Sequence, residues 1–227
     1  MGFLDAEANL MDIFSQARES MILSQLQTNN VTNERLLRAM REVPREIFIP
    51  EDKVDLAYID VNIEVFPMRY MLSPMFLAKM IQEASILESD VVLDIACLTG
   101  YSTAVLSKLA ATVIGLEPNS VHVEKANKIL SDLQIDNAAV LVGDISQGWL
   151  SQGPYNVILI NGSINFVPRI LIDQLTNGGR LICVENINNI GKAVCYLKQP
   201  DSFGRRVLFD ASIPLVPGNE EKAEFIF

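Results

Sequence analysis

The apolar positions in the second half of the chain predict short strands that alternate with helices. Strands are predicted at 91–96, 112–116, 138–142, 155–161 and 179–184, with helices at 101–110, 119–133 and 166–175. Strands that are apolar on both faces and separated by helices form a parallel sheet covered on both sides. The pattern therefore predicts an α/β fold with a doubly wound, mostly parallel, Rossmann-like sheet.

The two ends of the chain follow other patterns. Apolar residues recur at three- and four-residue intervals over 5–27, as in an amphipathic helix. Further helices are predicted over 33–43, capped by Thr32, and from Pro74, capped by Ser73. We therefore expect a helical appendage over residues 1–80.

Residues 81–227 are expected to form the sheet domain. Its last strand-like runs, at 193–199, 205–211 and 224–227, have no helices between them. Strands joined by turns alone pair antiparallel, which predicts an antiparallel edge at this end of the sheet.

Composition and charge exclude several classes of partner. The chain has 28 acidic and 18 basic residues, a formal charge of −10, which disfavours binding to nucleic acid phosphates. No apolar run approaches the roughly 20 residues that span a bilayer. The first residues lack the basic and apolar regions of a secretory signal. We therefore expect a cytoplasmic protein that binds neither nucleic acid nor membrane, with its oligomeric state left open.

Metal chemistry is also disfavoured. The three cysteines, Cys97, Cys183 and Cys195, are widely spaced in apolar strand-like segments and are expected to be buried free thiols. The only histidine, His122, lies in a segment predicted to be a solvent-facing helix. No metal site is expected from these residues.

Polar side chains stand at or just after the ends of the first four predicted strands: Asp94, Glu117, Asp144 and Asn161. Ligands of open parallel sheets bind beyond the carboxyl ends of the strands, where Glu117 can accept hydrogen bonds from a ribose and Asp144 can contact an adenine. Each carboxylate also has a structural interpretation, as a helix cap or as an acceptor for loop amides. Neither a GxGxxG nor a P-loop motif is present, so the spacing favours an adenosine-containing ligand without phosphates.

Segments spanning most of the chain resemble the protein-L-isoaspartate O-methyltransferase family, in its alphaproteobacterial branch. One of them is VVLDIACLTGYSTAVLSKLA. The most specific are VPREIFIP followed by AYID, and the pair PYNVILING and QLTNGGRL, which many S-adenosyl-L-methionine methyltransferases share loosely. The resemblance implies a class I fold, S-adenosyl-L-methionine as cofactor, and isoaspartyl peptides or proteins as substrate. It implies cofactor contacts from Asp94, Ala96, Gly100, Tyr101, Glu117, Asp144, Ile145 and Asn161.

The cofactor loop departs from the family pattern. Relatives read E-I-G-x-G-S-G-Y, whereas this chain reads DIACLTGY, so that Ala96 and Leu98 replace two glycines and Gly100 remains. Alanine and leucine resist the positive φ that glycine adopts. Either Leu98 lies where the cofactor would bind, or the loop rearranges and Leu98 packs into the core.

The substrate loop departs as well. Relatives read I-S-Q-P, and alignment on Pro74 places Leu72 at the serine and Ser73 at the glutamine. Either Ser73 supplies the hydroxyl, as the catalytic candidate, or it only caps the following helix. Tyr70 and Met71 complete the predicted substrate site. The leading hypothesis is an isoaspartyl methyltransferase; the alternatives are a catalytically silent binding module and a methyltransferase for another substrate.

Overall fold

The computed structural model describes residues 13–187 and 190–217. Helix α1 covers residues 13–21 and continues as a π-helical turn, Ile22–Leu26. The first predicted helix is confirmed in this part; the positions before residue 13 lie outside the described residues. Short 3-10 turns follow at Gln27–Asn29, Arg45–Phe48, Glu51–Leu56 and Leu150–Gln152.

Helix α2, Glu34–Glu42, begins one residue later than predicted, and its cap is Asn33. The Asn33 side chain accepts a hydrogen bond from the Leu36 amide at 3.1 Å. The prediction that Thr32 caps α2 was wrong, because the Thr32 hydroxyl does not bond to the helix. The Thr32 backbone amide donates to the Gln82 side chain at 2.7 Å.

Helix α3, Pro74–Ala84, is capped as predicted, since Ser73 Oγ accepts from the Phe76 amide. The chain before it forms a two-stranded antiparallel hairpin of β1, Ile63–Phe66, and β2, Arg69–Met71. This hairpin leads into the predicted substrate loop.

The central sheet has seven strands in the order β5-β4-β3-β6-β7-β8-β9. Strands β3 to β7 are parallel, and β8 and β9 add antiparallel at one edge, which confirms the predicted fold class. The strands are β3 Val91–Ile95, β4 Thr112–Glu117, β5 Ala138–Val142, β6 Tyr155–Ile164, β7 Leu175–Ile187, β8 Ile190–Lys198 and β9 Phe203–Asp210; the helices between them are α4 Tyr101–Ser107, α5 Ser120–Asp132 and α6 Arg169–Asp173. The predicted run at 224–227 lies outside the described residues.

The sheet is buried on both faces because successive side chains of a strand point to opposite sides. On β3, Val92 lies in a core that also contains Met21 and Phe48 from the N-terminal segments. Its neighbour Leu93 lies in a second core with Ile158 of β6. The described residues between 13 and 80 therefore share a hydrophobic core with the sheet.

All three cysteines are free thiols. Cys97 and Cys183 are buried, as predicted, whereas Cys195 is only partly buried, where the prediction was wrong. Burial raises the pKa of all three thiols, which disfavours the reactive thiolate.

Candidate functional site

The strand order reverses beside β3, where β4 and β6 lie on either side of it. Asp94 near the carboxyl end of β3 is fully buried and accepts hydrogen bonds from Ser102 Oγ at 2.7 Å, Thr103 Oγ1 at 2.6 Å and Asn161 Nδ2 at 2.7 Å. Asp94 thus joins β3, α4 and β6. Two predicted site residues, Asp94 and Asn161, meet here. The carboxylate has a structural role, but its donors are side chains and not the loop amides that the sequence suggested.

Burial raises the pKa of Asp94 to about 6, and the three hydrogen bonds oppose that shift. An acid whose pKa is higher in the folded protein than in the unfolded chain favours folding when protonated. Its contribution is complete below the unfolded pKa and is lost as the pH rises through about 6. Ionised Asp94 therefore lowers stability at neutral pH.

Asp94→Asn is expected to remove this pH dependence. Between pH 7 and pH 5, the Asp94 carboxyl should raise the free energy of unfolding by about 1 kcal/mol in the unmodified protein. Urea denaturation at both pH values measures the change, and Asp136→Asn, at an exposed position, is the matched control. Equal changes in the two variants would contradict this assignment.

The loop after β3 keeps a left-handed backbone at three positions. Ala96 has φ 59°, Leu98 has φ 54° and Gly100 has φ 87°. For alanine and leucine this conformation costs roughly 1–2 kcal/mol each. The Ala96 amide donates to Leu116 O at 2.8 Å, which helps to hold the loop on β4. The loop has therefore not rearranged into ordinary backbone conformations.

The Leu98 side chain nevertheless fills space at this edge. It is 4% exposed and, together with Leu72, Tyr101 and other residues, lines a cavity of about 10 Å³, the inner cavity. Sites for drug-sized ligands have volumes of roughly 300–1,000 Å³. The Leu98 side chain therefore packs into the core and also lies at the predicted cofactor site, so the two placements considered for it coincide.

Glu117 at the end of β4 is fully buried and is bound by side chains of this chain. Arg69 of β2 makes two hydrogen bonds to its oxygens, at 2.9 and 2.7 Å. The Leu98 amide donates to Oε2 at 3.2 Å, and His122 Nδ1 lies 3.1 Å from Oε1. The carboxylate predicted to hold a ribose is thus occupied by protein groups.

The prediction that His122 faces solvent was wrong. It is 7% exposed on α5, and its ring stacks on Phe66 of β1 with centroids 3.5 Å apart and an angle of 12°. Its spacing from Ala126 and Ile129, at i+4 and i+7, marks the buried face of α5 and could have indicated this placement.

The residues predicted after β5 do not join this cluster through hydrogen bonds. Asp144 is exposed, and its Oδ1 accepts from the amide and the hydroxyl of Ser146, both in its own turn. Ile145 is half-buried and packs against the second core. The Asp144 carboxylate therefore stabilises its own turn over residues 145–147 and does not cap a helix.

The predicted substrate loop is fixed by buried polar contacts. Tyr70, Met71 and Leu72 line the inner cavity, while the Ser73 hydroxyl caps α3. Arg45, which is fully buried, donates to the Leu72 carbonyl at 2.6 Å. Sequence reasoning missed Arg45, although its motif VPREIFIP was recognised.

Tyr101 at the start of α4 is directed towards the N-terminal segments. Its ring lies edge-on to Phe48 with centroids 5.5 Å apart, and the Arg45 guanidinium carbon lies 4.7 Å from its centroid. Within the described residues its buried hydroxyl has no hydrogen-bond partner. Gly100 is the N-cap of α4, and a Cβ added to this glycine would lie 3.3 Å from Ala126 Cβ.

The parallel sheet, its antiparallel edge and the two buried carboxylates at the ends of β3 and β4 define a protein of the class I methyltransferase fold. Solved structures agree. One protein-L-isoaspartate O-methyltransferase superposes with a TM-score of 0.80 at 24% identity, covering 89% of this chain and 66% of that one. A Plasmodium falciparum candidate member in complex with S-adenosyl-L-homocysteine has a TM-score of 0.74 at 20% identity, covering 86% and 96%.

Sequence comparison identifies the family. Residues 17–212 match the protein-L-isoaspartate(D-aspartate) O-methyltransferase family, and the chain belongs to it. A Shewanella sediminis protein-L-isoaspartate O-methyltransferase 2 is 36% identical over 169 residues, 74% of this chain and 69% of that protein. A Synechococcus protein-L-isoaspartate O-methyltransferase is 37% identical over 171 residues, 75% and 70%. The predicted family, enzyme class and cofactor, S-adenosyl-L-methionine, are confirmed.

The described conformation does not fit that cofactor. The inner cavity is about 10 Å³, and Arg69 and Leu98 bind the Glu117 carboxylate.

Over residues 13–187 and 190–217, no cluster of three metal-ligating side chains occurs, and no helix has the length and apolar character to cross a bilayer.

Proposed function

We propose that this chain methylates the carboxylate of isoaspartyl residues in damaged proteins, using S-adenosyl-L-methionine, and that it does so in the cytoplasm. The observation that carries the proposal is the family match over residues 17–212. The placement of Asp94 and Glu117 near the ends of adjacent strands is consistent with a cofactor edge. The hairpin and the loop over residues 69–73 supply the wall that faces this edge.

The substrate side would rely on backbone groups and on shape. The Ser73 hydroxyl accepts from the Phe76 amide, and the Ser73 amide itself donates to Asn62. Leu72 is 2% exposed, with its carbonyl held by Arg45. Leu72 and Ser73 are therefore held by buried contacts, and the Ser73 hydroxyl has a structural role.

These contacts also favour a second function, that of a binding module which keeps the fold without methyl transfer. Leu72 stands where relatives have serine, and Leu98 stands where they have glycine. A pocket that lacks a donor for the substrate carboxylate loses roughly 1–3 kcal/mol of binding for each unmet group.

A transfer assay separates the two functions. The purified chain is incubated with methyl-labelled S-adenosyl-L-methionine and either an isoaspartyl peptide or the same peptide with ordinary aspartate. We expect base-labile label on the isoaspartyl peptide only. Binding of S-adenosyl-L-homocysteine without transfer above a heat-inactivated control would favour the binding module. Transfer to another acceptor would indicate a different substrate.

A further inference from the structure

Arg69 occupies the position that a cofactor ribose would need. A carboxylate has about four acceptor positions. Glu117 uses them on two Arg69 nitrogens and the Leu98 amide, and His122 Nδ1 lies 3.1 Å from its remaining face. A ribose diol therefore requires that Arg69 leave.

Arg69 belongs to a hairpin with a second contact at the same edge. Phe66, on the other strand of the β1–β2 hairpin, stacks on His122. The hairpin thus contacts both the end of β4 and the first turn of α5. These contacts form one unit, because β1 and β2 are joined by a tight turn and pair through Phe66 and Arg69.

The hairpin also divides the space along this edge. An outer groove of about 540 Å³ is lined by Phe66, Met68, Arg69, Asn119 and His122, among others. A second cavity of about 10 Å³ has Arg69 among the residues that it shares with this groove, and Tyr70 among those that it shares with the inner cavity. Arg69 and Tyr70 therefore form part of the walls that separate the three spaces, and the groove alone has the volume of a ligand site.

We infer that Arg69 is an internal competitor of the cofactor, and that S-adenosyl-L-methionine binds only after the β1–β2 hairpin withdraws Arg69 from Glu117. This inference rests on the proposed function. The guanidinium fork matches a carboxylate in two parallel hydrogen bonds, the strongest geometry for such a pair. Because the Arg69 side chain is 12% exposed beside the outer groove, it has a route to solvent. Arg69 thus sets the affinity for the cofactor.

Calorimetric titration with S-adenosyl-L-homocysteine tests the inference. Arg69→Gln removes the charge and the paired hydrogen bonds, and we expect its Kd to be at least tenfold lower than that of the unmodified chain. Arg69→Lys keeps the charge without the fork and should lie between them. Arg38→Gln, at an exposed position on α2, makes the same change in net charge and should leave Kd unchanged. Thermal unfolding of each variant verifies folding.

Hydrogen exchange provides a second readout. The amides of residues 63–71 in the unmodified chain should exchange faster when S-adenosyl-L-homocysteine is bound, because the hairpin has moved. Equal or weaker binding by a folded Arg69→Gln protein, or unchanged exchange in the hairpin of a ligand-bound chain, would overturn the inference and leave the proposed function standing. Absence of binding by every variant at millimolar ligand would overturn both.

Discussion

Replacement of Glu117 by alanine is expected to lower the free energy of unfolding by about 3 kcal/mol, because it removes a fully buried acceptor of charge-assisted hydrogen bonds. The change would remove the acceptor of two hydrogen bonds from Arg69 and of one from the Leu98 amide. Urea denaturation at neutral pH measures the loss. A residue that served only to bind a ligand would give a much smaller effect in the absence of that ligand.

The exposed pair of Lys128 and Asp132 on α5 is the matched control for Glu117→Ala. Asp132→Ala should cost no more than about 0.5 kcal/mol, as is usual for surface ion pairs one helical turn apart. The double variant Arg69→Ala, Glu117→Ala should recover part of the loss, since neither charge remains. If Glu117→Ala and Asp132→Ala cost the same, the buried pair does not stabilise the fold.

Leu98→Gly is expected to tighten S-adenosyl-L-homocysteine binding at least tenfold while making the protein less stable. The lost burial and the greater freedom of glycine in the unfolded chain exceed the relief of the left-handed backbone, for a net loss of about 2 kcal/mol. The gain in affinity follows because the leucine side chain lines the inner cavity. Calorimetry and urea denaturation measure the two effects separately.

A second buried leucine distinguishes local relief from general loosening of the fold. Leu93 on β3 is fully buried in the core on the opposite face of the sheet, so Leu93→Ala should lower stability without improving affinity. If both variants tighten binding, the gain comes from loosening of the whole sheet. If Leu98→Gly leaves Kd unchanged, Leu98 does not obstruct the cofactor.

The sheet could be predicted from sequence because its strands are apolar on both faces and its helices are amphipathic. The first and last residues of the strands were harder to predict from sequence. β7 begins at Leu175 although the residues 176–179 do not have the pattern of a strand, because Leu175 pairs with Tyr155 of β6 ahead of an irregularity in the register. The cap of α2 was misplaced by one residue, since both Thr32 and Asn33 are good cap residues and their tertiary contacts decide between them.

Some residues of the candidate site could also be predicted from the sequence, and others could not. Asp94 and Glu117 could be located because strand ends in a parallel sheet share one edge. The side chains that bind Glu117 could not be located from sequence. Arg69 lies 48 residues before Glu117, in a hairpin whose position depends on tertiary packing. The hairpin segment carries a weak signal in its alternating pattern, but no local rule links Phe66 to His122.

The left-handed backbone after β3 has a practical consequence for redesign. Because Ala96 and Leu98 already adopt the φ values that glycine favours, side chains there can be shortened without redirecting the chain. The path of the main chain is held by a backbone hydrogen bond from the Ala96 amide to Leu116 O, which involves no side chain. A library that varies only these two positions would therefore sample pocket sizes on a constant scaffold, a useful starting point for accepting enlarged sulfonium analogues.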